Sequence, residues 1–199
     1  MSGFATSTSV KVESLDIARV IETLGTDKFT QILLDMAQPI IRADFISIFC
    51  LGDEKTPLLF DTKCIVGHSR AALAAKGYER HFLDDLDYQL MKSGSPEEDY
   101  TTYQVRDDIN SIQYRRDCYD RPGIADRRSA VRKRAGYALR LSFYRSKEVG
   151  EFDDTDRKLL DGLLPMFLAL TERHIAFRWQ GNIATVNDNE AQLAISSQI

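Results

Sequence analysis

The segment from Phe45 to Leu51, FISIFCL, constrains the fold most, because its β-branched and aromatic side chains fall on both faces of an extended chain. Such a strand lies in the interior of a sheet and needs a covering layer on each side. Residues 58–66 then alternate with a period of two after a short polar link, which predicts an antiparallel hairpin. The chain is therefore expected to form a sheet covered on both faces.

Helical patterns surround this hairpin. Apolar residues recur at helical spacing over residues 15–24, with Ser14 as the predicted N-cap, and over residues 29–37, with an end near Pro39. Residues 69–93 contain further helical turns. The clearest helix follows Asp153 and Asp156, a pair that resembles a capping box, and we expect Pro165 to kink it.

The remaining segments complete an α+β plan. Residues 94–99 are predicted to be a loop, residues 100–105 a short strand and residues 108–119 a helix, before two strands over residues 124–131 and 137–144. This order predicts a central antiparallel β-sheet with helices on one face, a helical insertion that roofs the other, and a long C-terminal helix. A roofed sheet can enclose a small-molecule pocket.

Length and composition predict one globular domain. The chain has 199 residues, of which 43% are hydrophobic and 28% charged, and it has no apolar stretch of transmembrane length and no signal-peptide pattern. We expect a cytoplasmic protein with a domain over residues 1–178 and a linker or flexible tail over residues 179–199, where Asn, Gln, Ser and Ala prevail. The three cysteines have no CxxC spacing and are interpreted as reduced thiols.

Charge is unevenly distributed along the chain. The net charge is −4, yet residues 115–147 contain 11 basic and three acidic residues, a local balance of +8. One interpretation is a basic face for an anionic ligand or an acidic partner. The more common one is a pair of strands with an arginine-rich solvated side.

The candidate ligand-binding residues lie in and beside the predicted roof. They are Tyr88, Tyr100, Tyr103, Tyr114, Tyr119, Arg140 and Ser142. Tyrosine rings with hydroxyl groups can grip an amphipathic ligand, although they can equally pack the insertion. Arg140 and Ser142 share the half-polar face of a strand, where Arg140 can meet a carboxylate or phosphate, or instead form an ion pair or face solvent.

Motifs for catalysis, metal binding and phosphate binding are not found in the sequence. His68 lies four residues after Cys64, which is the one local His/Cys pair, and His81 and His174 lack HExxH or paired-His spacing. No GxSxG elbow and no glycine-rich phosphate loop occurs. We therefore expect no enzyme, no metal and no cofactor.

Two stretches carry a family resemblance: residues 114–129, YRRDCYDRPGIADRRS, and residues 141–156, LSFYRSKEVGEFDDTD, which continues through LLDGLLP to Arg173 and His174. They resemble the GAF-like N-terminal sensor region of bacterial LuxR-type (helix-turn-helix) transcriptional regulators, over about residues 15–178. The resemblance implies a GAF/PAS-like fold, a signal-sensing role and a homodimer formed through terminal helices.

Three departures from the group limit what the resemblance implies. Arg128 stands where the group commonly has leucine, and the Trp- and Asp-bearing motif of acyl-homoserine-lactone receptors is missing. The helix-turn-helix module is absent from this chain, which indicates either a truncated sensor or a stand-alone member that acts through a partner. We predict a non-enzymatic regulatory domain that senses an unidentified small molecule or partner; the alternative is a stand-alone interaction adaptor that uses its basic face without a ligand.

Overall fold

A computed structural model describes residues 16–51, 56–93 and 97–196, with side chains as far as Trp179 and without that of His68. The predicted cap Ser14, the metal interpretation of His68 and the end of the predicted tail, residues 197–199, lie outside the described residues.

A five-stranded antiparallel sheet forms the centre of the molecule. Its strands are β1 (Phe45–Leu51), β2 (Pro57–Cys64), β3 (Glu98–Val105), β4 (Ile124–Arg134) and β5 (Tyr137–Ser146). Their spatial order is β2-β1-β5-β4-β3. Strand β1 lies between β2 and β5, as its apolar residues on both faces predict.

Helices cover both faces of this sheet. They are α1 (Ile17–Glu22), α2 (Phe29–Ile41), α3 (His68–His81), α4 (Leu86–Lys92), α5 (Ile112–Arg115) and α6 (Asp154–Ser196). A single wider turn of π geometry, Arg116–Asp120, follows α5. Helices α2 and α6 pack on one face, and α3 to α5 form a roof over the other. The predicted α+β fold is thus confirmed.

The main apolar core lies between the sheet and α6. Its largest buried side chains come from α2, β1, β5 and α6, including Phe29, Leu33, Ile48, Phe143 and Phe167. Alternation along the strands sends every second side chain toward this core. The side chains in between point toward the roof.

Two boundaries extend beyond the predicted ones for identifiable reasons. Helix α2 continues past Pro39 to Ile41 and closes when the backbone N–H of Arg42, in the left-handed conformation, bonds to the Gln38 carbonyl at 2.7 Å. Strand β3 begins at Glu98, inside the predicted loop, because Asp99 lies opposite Arg132 and forms an ion pair with it at 2.8 Å.

Two helix predictions also differ from the structure. The helix predicted over residues 108–119 begins at Ile112, since the Ser111 hydroxyl accepts from the backbone N–H of Tyr114 and caps it there. The backbone of α6 is helical to Ser196, beyond the loss of apolar pattern after Trp179.

The division into a domain and a linker at residue 178 stays a prediction. In the described part of the chain, no helix combines the length and the apolar character needed to cross a bilayer.

Candidate functional site

The sheet face beneath the roof carries unusually many polar side chains. They include Ser47, Arg127, Ser129, Arg140 and Ser142, all buried. The hydroxyls of Ser129 and Ser142 hydrogen-bond across β4 and β5 at 2.9 Å, and that of Ser47 bonds to the Tyr144 hydroxyl at 2.7 Å. A covered sheet face with this chemistry is the candidate site of the molecule.

Four charged residues fasten the roof to this face. Asp85 caps α4, and its carboxylate receives the two terminal nitrogens of Arg127 at 2.8 and 3.2 Å. Arg140 donates to the same carboxylate. Asp87 approaches Arg127 at 2.9 Å and Arg140 at 3.7 Å. We call these four residues the ion-pair cluster; each is at most 1% exposed, and its two cations balance its two anions.

The electrostatics of the ion-pair cluster follow from its burial. Burial alone would raise the pKa of Asp85, but attraction and hydrogen bonds from Arg127 and Arg140 hold that pKa well below its usual range. The Arg140 guanidinium also lies over the rings of Tyr78 and Phe49, 4.5 and 5.0 Å from their centroids. The Nε and Nη2 of Arg140 have no hydrogen-bond partner among the described residues. The two rings therefore provide the favourable contacts for this part of the guanidinium.

The space left between roof and sheet is small. It measures about 30 Å³, with room for about one or two water molecules. Its walls include Phe45, Ser47, Tyr78, Tyr114, Tyr119 and Arg127. The roofed pocket that the element order predicts is therefore almost filled by the protein's own side chains in this conformation.

Two of the predicted tyrosines meet at this cavity. The hydroxyl of Tyr114 accepts from Arg127 at 3.2 Å, and that of Tyr119 donates to the Gln104 side chain at 3.3 Å. Their rings form an edge-to-face pair with centroids 5.9 Å apart. Burial raises the pKa of both phenols, so each remains a neutral hydroxyl.

The other predicted residues are distributed over the sheet and roof. Arg140 and Ser142 lie on the roofed face. Tyr88 and Tyr100 pack in a neighbouring apolar cluster beside α4. Tyr103 lies on the opposite face, where its hydroxyl donates to Asp126 at 3.0 Å. Because Tyr100 and Tyr103 are three positions apart on one strand, they cannot share a face.

Sequence reasoning missed the acidic half of the ion-pair cluster. Asp85 and Asp87 stand two positions apart at the start of α4, where carboxylates usually cap a helix or face solvent. The sequence pattern places Arg127 only within a basic segment. The sequence does indicate that such acidic residues exist, since two arginines on neighbouring buried strands need buried anions as partners.

The 11 basic residues between positions 115 and 147 do not form one face. Arg127 and Arg140 are buried under the roof, whereas Arg128 and Arg132 pair on the other side of the sheet with Asp161 and Glu172 of α6. Alternation along β4 separates them. The single basic face proposed from the charge balance is thus divided between opposite surfaces.

A smaller set of arginines does gather on the surface. Arg116 and Arg121 approach the Asp117 carboxylate at 2.8 and 3.1 Å, and Arg80 and His81 reach it from α3 at 4.0 and 3.0 Å. We call these residues the Asp117 cluster. The side chains of its arginines are more than half exposed, while Asp117 is buried.

His174 and Cys118 serve packing. Nδ1 of His174 accepts the backbone N–H of Gly25 at 3.0 Å, and its ring stacks on Phe29 with centroids 4.1 Å apart. Burial raises the pKa of Cys118 to about 12, so its thiol is not activated. No group of three His, Cys, Asp or Glu side chains among the described residues is placed to hold a metal ion.

Comparisons with known proteins agree with this architecture. No protein-family model and no curated protein sequence matches the chain. The ligand-binding domain of VqsR from Pseudomonas aeruginosa superposes with a TM-score of 0.60 at 18% identity, covering 81% of this chain and 94% of that one. CepR2 from Burkholderia cenocepacia, an N-acylhomoserine lactone-dependent LuxR family transcription factor, gives a TM-score of 0.57 at 13% identity, covering 82% and 92%.

Both similarities extend over most of either chain. Identities this low establish the fold rather than the ligand. The chain has the fold of the ligand-binding domains of LuxR-type transcription regulators.

Proposed function

We propose that this chain is a non-enzymatic, cytoplasmic sensor domain of a LuxR-type transcription regulator. The observation that carries the proposal is the ion-pair cluster, which fastens a helical roof to a polar sheet face in the fold of regulatory ligand-binding domains. A roof that charged contacts and apolar packing join to the sheet can have a closed and an open arrangement. A small molecule or partner that prefers one arrangement would shift the population toward it.

The proposed binding residues are Tyr88, Tyr100, Tyr114, Tyr119, Arg140 and Ser142. Tyr103 is left out because its side chain lies on the other face of the sheet. With only about 30 Å³ free, a guest needs the roof to move outward before it can contact these side chains. Arg140, which has two nitrogens without hydrogen-bond partners among the described residues, would then offer donors to an acceptor group.

The proposed output is the geometry of a homodimer formed through the terminal helices. Helix α6 packs directly on the sheet and continues past it, so a change in the sheet and roof can alter its position. DNA would be contacted only through a separate helix-turn-helix module.

The proposal can be tested with a panel of metabolites. For each compound, the change in melting temperature and the dissociation constant of the dimer are measured. A guest at 100 times its Kd should stabilise the native state by about 2.7 kcal/mol. It should also change the dimer constant, measured by sedimentation. Binders that leave the dimer constant unchanged would contradict the proposed mechanism, since they have no preference between arrangements.

The second candidate function is a ligand-free interaction adaptor. It is favoured by the near-complete filling of the roofed space and by the exposed arginines of the Asp117 cluster. This function predicts salt-sensitive binding of a fluorescent polyglutamate peptide. The double variant Arg116→Ser, Arg121→Ser should abolish that binding, while no metabolite raises the melting temperature.

A further inference from the structure

A second concave site lies on the α6 side of the sheet, away from the roof. Its volume is about 480 Å³, against about 30 Å³ under the roof. Its walls include Cys50, Leu58, Tyr137, Leu139, Ala176 and Trp179. Small-molecule sites in proteins usually measure about 300–1,000 Å³.

The walls of this groove are mainly apolar and partly open to solvent. Leu139 forms a fully buried part of the wall, whereas Leu58 is 63% and Trp179 52% exposed. Large apolar side chains around a concavity of this size can recover hydrophobic free energy when a guest covers them. Burial raises the pKa of Cys50 to about 11, so its thiol is neutral and contributes as an apolar group.

A carboxylate lies in the wall, and its orientation is fixed. The carboxylate of Glu172 receives the Tyr137 hydroxyl at 2.5 Å and Arg132 Nη1 at 2.8 Å, one on each oxygen. Arg132 also pairs with Asp99, which Arg134 reaches at 2.9 Å, so the two arginines together balance the two carboxylates. The groove therefore does not favour ions of either sign. Each carboxylate oxygen still has a lone pair for a further donor.

We propose that this groove binds an uncharged, aromatic small molecule that carries one N–H or O–H donor. The apolar body would lie against Leu58 and Trp179, and the donor would bond to Glu172. Charge complementarity selects this chemistry, since a charged guest would lose its hydration without finding an unpaired opposite charge. The proposal is independent of the roofed face, because the two sites lie on opposite sides of the sheet.

N-phenyl-1-naphthylamine is a suitable probe because it is uncharged, aromatic and has one N–H donor. Trp179 is the single tryptophan of the chain, so its emission reports directly on the groove. We expect saturable quenching of Trp179 with one probe per chain, accompanied by a rise in probe emission. The anionic analogue 1-anilinonaphthalene-8-sulfonate, with the same rings, should bind more weakly.

Matched variants on α6 locate the probe. Ala176→Leu adds side-chain volume inside the groove and should weaken binding at least about tenfold, equivalent to about 1.4 kcal/mol. Ala169→Leu makes the same change at an exposed position of α6 outside the groove and should leave binding unchanged. Circular dichroism checks the fold of both; if Ala176→Leu fails to fold, Leu58→Asp replaces it.

Three results would overturn the proposal. One is the absence of saturable quenching. The second is binding that Ala176→Leu and Leu58→Asp both leave unchanged. The third is a concentration-dependent dimer that Ala176→Leu dissociates while the probe fails to compete, which would assign the groove to a second copy of the chain.

Discussion

Arg127 on β4 and Asp85 at the start of α4 form a buried two-point ion pair, with Nη2–Oδ1 and Nη1–Oδ2 distances of 2.8 and 3.2 Å. The pair joins the sheet to the roof across 42 positions of sequence. Forming such a pair adds little net stability because both charges must lose their hydration. Removing one partner while the other stays buried lowers the free energy of unfolding far more.

Asp85→Ala should therefore destabilise the protein by about 3–5 kcal/mol, since Arg127 and Arg140 would keep only Asp87 as a buried anion. Urea unfolding measures the change. Asp161→Ala is the control, because it removes the half-exposed partner of Arg128 and should cost less than about 1 kcal/mol. Equal losses in the two variants would contradict the role given to the ion-pair cluster.

Gly77→Ala should destabilise the protein although alanine favours helices. A Cβ at position 77 would lie 2.6 Å from the Asp117 carbonyl oxygen, so α3 must move away from the turn Arg116–Asp120. We expect a loss of about 1–3 kcal/mol from this overpacking, larger than the helix-propensity gain of about 1 kcal/mol. Thermal unfolding measures the balance.

Gly162→Ala is the counterpart of that change on α6. Apart from the adjacent backbone of α6 itself, no atom of the described residues lies within 4 Å of the added Cβ, so only the helix propensity changes. This variant should gain up to about 1 kcal/mol. If both glycine variants were more stable than the unaltered chain, this would contradict the close packing of α3 against Asp117.

His174 should make the protein less stable as the pH falls. Burial lowers its pKa from 6.5 to about 4, so between these values the unfolded state binds the extra proton. Stability should fall by up to about 1.4 kcal/mol per pH unit in this range. His174→Gln, which keeps an acceptor for the Gly25 N–H, should lose this slope in urea titrations at several pH values.

Asp126 should have the opposite effect to His174 on how stability changes with pH. Burial raises its pKa from 3.8 to about 6, although Phe152 N–H and the Tyr103 hydroxyl donate to it. The folded state then binds the extra proton, so this group contributes stability as the pH falls from about 6 to 3.8. Asp126→Asn should therefore show a steeper loss of stability on acidification than the unaltered chain. A shallower loss would reverse the sign assigned here.

Local patterns predicted the elements of the fold well. The segment at Phe45 that is apolar on both faces forms an interior strand, and Asp153 immediately precedes α6, where its carboxylate accepts the backbone N–H of Asp156 at 2.9 Å. These features depend on neighbours a few positions away. The start of β3 was misplaced because it depends on Arg132, which is distant in sequence.

The site was harder to predict because its chemistry comes from residues that only the fold brings together. Arg140 was identified as a possible ion-pairing residue, but its partners Asp85 and Asp87 lie more than 50 positions earlier in the chain. Strand alternation alone shows that Tyr100 and Tyr103 cannot both face the roof, but it does not say which one does. Whether the roofed space is hollow depends on side-chain volume across two layers, which no sequence spacing records.

The contact between Gly25 and His174 joins positions 149 residues apart, and β1 must pair with β5 before the sheet is continuous. During synthesis, the apolar sides of α2 and β1 therefore emerge from the ribosome long before α6 can cover them. We expect this domain to fold late, once most of its chain has been translated, and to need protection from aggregation until then.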